Sequence, residues 1–399
     1  MEVALRDKAE STAPDGARGL GKRDIVELTE LRQALHRRPE LSGEECETAR
    51  TIAKALAPTA PDEVLTGLGG HGVAAVFSGA APGPTVLIRA ELDGLPIEEI
   101  GGLPYRSETP GKGHLCGHDG HATILIGLAR LLGRQRPARG RAVLLFQPAE
   151  ETGAGAALVL KDPAFDRVAP DWAFALHNMP GLPLGHVSLA EGPANCASVG
   201  LRIALSGRTA HASMPEDGVS PAPAIARLIP ALSALGSGGA LVPGFRLATI
   251  THAQLGAPAF GVAPGAGELW LTLRALMDDD LHDLLASAKE IACAEARAAG
   301  LKISFSEHDL FLACRNHPEA VARLRAALAA EGIAHDAQNL PMRASEDFGR
   351  FGAVARSAMF LLGAGRDRPA LHNPDYDFPD SLIAQGTRIF HRTLRDLLG

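Results

Sequence analysis

The chain reads as an α/β protein, in which a main layer with a mostly parallel sheet flanked by helices is interrupted by an inserted ferredoxin-like (βαββαβ) satellite domain. Three observations predict this. Helix-like and strand-like stretches alternate from residue 25 to residue 176, as in a sheet whose strands are joined by helical crossovers. The order then changes to strand, helix, strand, strand, helix, strand, a split module compact enough to stand as an insertion. The first pattern later resumes, and the 399 residues exceed the roughly 250–300 at which single cores tend to divide.

Taken in order, Ile25, Leu28, Leu31 and Leu35 recur at helical spacing before Arg37, Arg38 and Pro39, so an opening helix spans 25–35. A second helix over 44–56 is stopped by Pro58. Residues 72–77 and 85–88 are short apolar runs bounded by Gly and Pro and read as strands. The stretch 122–132 has the length and spacing of a buried helix, and 142–146 and 172–176 read as buried strands. After about Pro193, residues 198–205 alternate like a half-buried strand, 221–235 are helical, 245–255 and 268–277 are strands, 280–299 is helical and 301–305 is a strand. The main layer returns with a helix over 319–330, a Gly-rich strand near 359–363 and a final helix over 381–398. The expected division is a flexible N-terminal tail at 1–23, a main α/β domain at 24–193 and 312–399, and the satellite at 194–311.

Composition narrows the function. With 46% hydrophobic and 21% charged residues the chain can bury a large core. A formal net charge of -7 without a basic run argues against a nucleic-acid partner. No stretch of about 18 apolar residues escapes a charge or a Gly/Pro break, so no membrane span is expected. The five cysteines, Cys46, Cys116, Cys196, Cys293 and Cys314, are odd in number and scattered, which fits reduced thiols rather than a disulfide framework. Residues 1–24 mix charges with Gly and Pro and lack the apolar stretch of a secretory signal, so the expected location is cytoplasmic.

The densest chemical cluster is Cys116-Gly-His-Asp-Gly-His121, just before a helix. Thiolate, imidazole and carboxylate are the side chains that bind borderline divalent metals, and the glycines let the backbone bend close to an ion. A lone histidine there would more often be a cap or a solvated side chain. Glu150 and Glu151 end a strand, where ligands gather in open α/β sheets. Adjacent carboxylates usually mean a solvated turn. At a metal site they offer a division of labour, one ligating and the other free to take a proton from water. His177-Asn178 and His372-Asn373 are single histidines before chain-turning segments. With Cys116, His118 and Glu151 they complete five ligands, enough for two ions.

These pieces, with Arg89-Ala-Glu-Leu-Asp-Gly-Leu-Pro96, Gln147-Pro-Ala-Glu-Glu151, Gly207-Arg-Thr-Ala-His-Ala-Ser213, Ser345-Glu-Asp-Phe348 and Leu371-His-Asn-Pro374, stand in the order of the M20 metallopeptidases and cover nearly the whole chain after the tail. The chain resembles the amidohydrolase branch of that family, which holds hippurate hydrolase, aminoacylase-like enzymes and hydrolases of indole-acetyl amino acids. The resemblance implies hydrolysis of small N-acyl amino acids with two divalent metal ions per subunit, zinc or manganese, cobalt and nickel being compatible with the same donors. It implies Cys116, His118, Glu151, His177 and His372 as ligands, Glu150 as general base and Asp93 as the carboxylate that orients a ligating imidazole. It also implies His211 as an oxyanion stabiliser, in several similar enzymes supplied by the partner subunit, and Arg274 as a binder of the substrate carboxylate. The satellite is then a lid and a dimerisation element, and the expected assembly is a homodimer or higher homo-oligomer.

Departures from the family pattern fall on Glu91 in place of Asp, on Glu216 where a second histidine is common, and on Gly261 where Asn is usual. The last two touch substrate contacts and leave the metal set alone. Four other readings stay open on the residues: cleavage of small peptides by the same site, a thiol hydrolase using Cys116, an NAD-dependent oxidoreductase from the weak fingerprint Gly153-Ala-Gly155, and metal storage without catalysis.

Overall fold

The computed structural model describes residues 19–399. Most of the expected tail, 1–18, lies outside the described residues, and its last two positions, Lys22 and Arg23, belong to the first helix, Lys22–His36. An eight-stranded sheet runs in the order Glu63–Leu68, Gly72–Ser78, Arg139–Gln147, Ala81–Glu91, Trp172–Pro180, Arg356–Gly365, Val187–Ser188, His335–Asp336. Its centre is parallel: Ala81–Glu91 pairs in parallel with Arg139–Gln147 and Trp172–Pro180, and the latter with Arg356–Gly365. The first two strands form an antiparallel edge hairpin turned by Gly69 and Gly70, both at positive φ.

The central strands are buried along nearly their whole length, which is why their sequences are apolar runs and do not alternate. Helix His118–Arg134 is buried at almost every residue and packs with Lys22–His36 and Leu382–Leu398 in a core that includes Leu28, Ile124, Leu128, Ile383 and Phe390. This helix begins four residues earlier than 122–132, so the Cys116–His121 cluster bridges its N-terminus. Gly117 sets that start. Its φ of +93 breaks the helix, and a Cβ there would collide with the Asn178 side chain.

A second, antiparallel sheet runs in the order Arg246–Leu255, Ala266–Ala275, Ala197–Ser206, Lys302–Phe311, with helices Ala222–Ser233 and Asp278–Ala298 packed on it. Val199, Leu201, Ile203 and Leu205 point from alternate positions of one strand into a separate cluster with Leu228, Leu271 and Leu284. Strand Glu63–Leu68 had no clear alternation in the sequence, and Lys302–Phe311 is twice as long as expected because its second half is exposed and polar. Among the described residues no helix is long and apolar enough to cross a membrane.

Candidate metal centre

Three parallel strands deliver side chains to one edge of the large sheet. Ala81–Glu91 ends at Glu91 and leads to Asp93, Arg139–Gln147 leads to Glu150 and Glu151, and Trp172–Pro180 carries His177. Helix His118–Arg134 adds His118 from its first turn, and the loop after Arg356–Gly365 adds His372 at a φ of +66. The five donors predicted as ligands fall into overlapping groups. The donor atoms of Cys116, His118 and His177 lie within 4.8 Å of one another, as do those of Cys116, Glu151 and His372, and those of His118, Glu150 and Glu151.

The hydrogen bonds decide which imidazoles are free. His118 Nδ1 faces two acceptors, the Asp93 carbonyl at 2.9 Å and the Asp93 carboxylate at 3.2 Å. Nδ1 therefore carries a proton and Nε2 is the nitrogen left to meet an ion; burial disfavours the charged imidazole, but Asp93, Glu91 and Glu151 outweigh it and raise His118 to about 10. That Nε2 is buried without a partner, 3.9 Å from an equally unpartnered Glu151 Oε1. His177 Nδ1 donates to the Asn178 carbonyl at 2.8 Å, leaving Nε2 turned to Cys116 Sγ at 3.4 Å. His372 Nε2 lies 3.6 Å from Glu151 Oε2. Such spacings suit two donors that each stand about 2.0–2.3 Å from a shared ion. His121 differs: its Nδ1 donates to Glu91 at 2.8 Å and its Nε2 accepts the Asn178 N–H at 3.1 Å, so both nitrogens are spent on protein. In the sequence it was as plausible a ligand as His118.

Asp93 is fixed by more than one bond. Its second carboxylate oxygen accepts from Ser42 Oγ at 2.7 Å and from the Glu151 backbone N–H at 2.9 Å. It thus ties one donor imidazole to the loop carrying a donor carboxylate.

Around the cage the charge is unbalanced. Glu91, Asp93, Glu150, Glu151, Glu346 and Asp347 are all at least mostly buried, and Arg89 is the guanidinium among them, ion-paired with Asp347 at 2.6 Å, with Glu346 at 2.9 Å and with Glu91. Burial and the neighbouring Glu346, Glu151 and Asp347 hold the Glu150 carboxyl well above the usual range. Burial, together with Asp93 and Glu346 against the pull of His118, pushes Glu151 up to about 7. Cys116 is raised by burial and by Glu151, Glu150 and Glu91, opposite to the lowered pKa of a nucleophilic cysteine. Unpartnered buried donor atoms, mixed N, S and O donors, and a surplus of carboxylates fit divalent cations.

A cavity of about 270 Å³ opens beside these groups. Cys116, Glu150, Glu151, His177 and His372 line it, together with Arg274, Asn195, Ser198 and Ser345. Arg274 donates from Nη1 to the Arg343 carbonyl at 2.8 Å and to Ser345 Oγ at 2.7 Å. His211 is not among the cavity's lining residues. It is exposed on the short strand Ala210–His211, paired with Val262–Ala263, and its Nδ1 lies 2.7 Å from Ser213 Oγ. Gly155, half of the weak dinucleotide fingerprint, is small because the Pro148 carbonyl presses against it. The residues that the sequence left without a role are His121, Glu91, Glu346 and Asp347. The adjacent carboxylates of Glu346-Asp347 repeat the signal that had singled out Glu150-Glu151.

The chain matches Peptidase family M20/M25/M40 over residues 87–396. It is 31% identical to the N-acetyl-L-cysteine deacetylase of Bacillus subtilis (strain 168), covering 93% of this chain and 88% of the relative. It is 30% identical to the hippurate hydrolase of Campylobacter jejuni, covering 91% and 94% respectively. Among solved structures, a dinuclear metal-binding peptidase of the M20 family from Bacillus subtilis superposes with a TM-score of 0.79 at 26% identity, over 95% of this chain and 99% of that one.

Proposed function

The chain belongs to Peptidase family M20/M25/M40, and on that premise we propose that it hydrolyses the amide bond of small N-acyl amino acids, releasing a carboxylic acid and a free amino acid. The observation that carries this reading is the convergence of Cys116, His118, Glu151, His177 and His372 in overlapping donor groups, with the Glu150 carboxyl beside them and all but His118 lining one cavity. These five would hold two divalent cations, zinc or manganese by donor chemistry. When bound, the cations supply Lewis acidity, lowering the pKa of a water and polarising the amide carbonyl.

The chain's own groups do the rest. Glu150 accepts a proton from the attacking water, whose oxygen bonds to the carbonyl carbon. The C–N bond then breaks, and Glu150 returns the proton to the departing nitrogen. Asp93 keeps the His118 lone pair aimed at the cage. The unpaired part of the Arg274 guanidinium takes the substrate carboxylate in the cavity. His211 stabilises the oxyanion once the satellite closes or a second copy presents it, which favours a homodimer. The five free cysteines favour a reducing, cytoplasmic location.

The test is hydrolysis of N-acetyl, N-benzoyl and indole-acetyl amino acids by protein reconstituted with zinc or manganese. We expect activity that a chelator removes and added metal restores. Undiminished turnover after complete metal removal would overturn the reading and turn attention to Cys116.

A further inference from the structure

We propose that Asn195 is a specificity residue that selects N-acyl amino acids with a hydrogen-bonding side chain, hydroxyl or carboxamide, over their apolar isosteres. The inference rests on the amidohydrolase reading above and deepens it.

Asn195 ends strand Gly192–Asn195, where its backbone is held on two sides: it pairs with Cys314, and it bridges to Met342. The side chain lines the same cavity as the metal cage and Arg274, and the residue is 1% exposed. Its Oδ1 nevertheless has no hydrogen-bond partner among the described residues. A buried amide oxygen left without a donor destabilises the fold unless something else supplies one. No donor on the rest of the wall bonds it among the described residues. Arg274 Nη1 is committed to the Arg343 carbonyl and Ser345 Oγ, and Ser345 Oγ in turn donates to Ser198 Oγ at 2.8 Å.

The neighbouring cavity surface is apolar, with Met179, Phe311, Met342 and Met359. A leucine or methionine at 195 would continue it at similar volume, and would suit a substrate with an aliphatic side chain. A carboxamide suits a substrate that brings an N–H or O–H. The terminal torsion of asparagine is broad, so the oxygen can turn to meet such a donor. With Arg274 taking the substrate carboxylate as proposed above, Asn195, which lines the same cavity, meets the amino acid rather than the acyl group. The positive guanidinium also disfavours an ammonium-bearing side chain there.

The experiment compares kcat/KM for N-acetylasparagine against N-acetylleucine, and for N-acetylthreonine against N-acetylvaline, in the metal-loaded wild type and in Asn195→Leu. Folding of the variant is checked by its melting temperature. We expect the wild type to favour the polar member of each pair about tenfold or more, and Asn195→Leu to lose that preference. A wild-type ratio at or below one overturns the inference without recourse to a variant, as does an unchanged ratio in Asn195→Leu. In both cases the amides are still cleaved and the amidohydrolase reading stands. If wild type cleaves no N-acyl amino acid at all, that reading falls and takes this inference with it.

Discussion

Two clusters of buried ionisable side chains meet at the first turn of helix His118–Arg134, and they are built on opposite rules. In one, fully buried Arg32 is ion-paired with Asp377 and Asp380, each at 2.7 Å, and with Asp119 at 3.4 Å, while His36 Nδ1 donates to Asp119 at 2.8 Å. Cations and anions interleave. In the other, carboxylates face carboxylates and Arg89 alone carries a permanent positive charge, so Glu150 and Asp347 are held above their ordinary range by burial and by each other's neighbours. A buried network in which every carboxylate sits against a cation fastens elements together; one that leaves like charges facing each other needs counter-charge from outside the chain. Residue types alone do not separate the two, since both contain His, Asp, Glu and Arg.

The sharpest way to break this comparison is Glu150→Gln, which removes an ionisable carboxyl from the unbalanced cluster while preserving shape. If Glu150 is the proton carrier, turnover falls by about 10³-fold or more and bound metal, read by elemental analysis, stays near wild type. Loss of metal would instead make Glu150 a ligand. The balanced cluster answers to pH. Burial disfavours the charged imidazole of His36, but the hydrogen bond to Asp119 and the Glu99 carboxylate 3.4 Å from Nε2 outweigh it and raise His36 to about 9. A raised histidine contributes its stability fully below its unfolded value, about 6.5, and loses it as pH climbs through the folded value. Denaturant melts of the metal-loaded protein should therefore show a stability decline from pH 6.5 to 9 that His36→Gln lacks, worth roughly 3 kcal/mol. Parallel pH profiles in the two proteins would show that His36 is not charged in the fold.

Much of the cage was legible because metal chemistry admits few residue types and because each donor stands next to a strand end or helix start that periodicity already marked. Cys116, His118, Glu150, Glu151, His177 and His372 all meet on that basis. What could not be read depends on partners distant in sequence. His121 is removed from the ligand set by Glu91 and the Asn178 N–H, 30 and 57 positions away. Arg89 meets Asp347 258 positions on. His211 stands outside the cavity lining for a reason of tertiary placement, and no local pattern encodes it. In the fold, the antiparallel edge hairpin was half visible: Gly72–Ser78 is an apolar run, whereas its partner Glu63–Leu68 has only two buried positions.

The smallest effect tests the seam between the clusters. Asp93 is a carboxylate of the unbalanced set, yet each of its oxygens is satisfied by protein: one by His118 Nδ1, the other by Ser42 Oγ and the Glu151 N–H. In Asp93→Asn one oxygen becomes an N–H₂ that must face either His118 Nδ1–H or the Glu151 N–H, two donors. The imidazole then keeps only the Asp93 carbonyl and loses its carboxylate acceptor, or the Glu150-Glu151 loop loses its anchor, while the volume is unchanged. Metal affinity, measured by competition with a chromophoric chelator, should fall about 10–100-fold with little change in the metal-free melting temperature. A large loss of metal-free stability with unaltered affinity would place Asp93 with Arg32 and His36 as a fastening, and would move the boundary between the two clusters to the far side of His118.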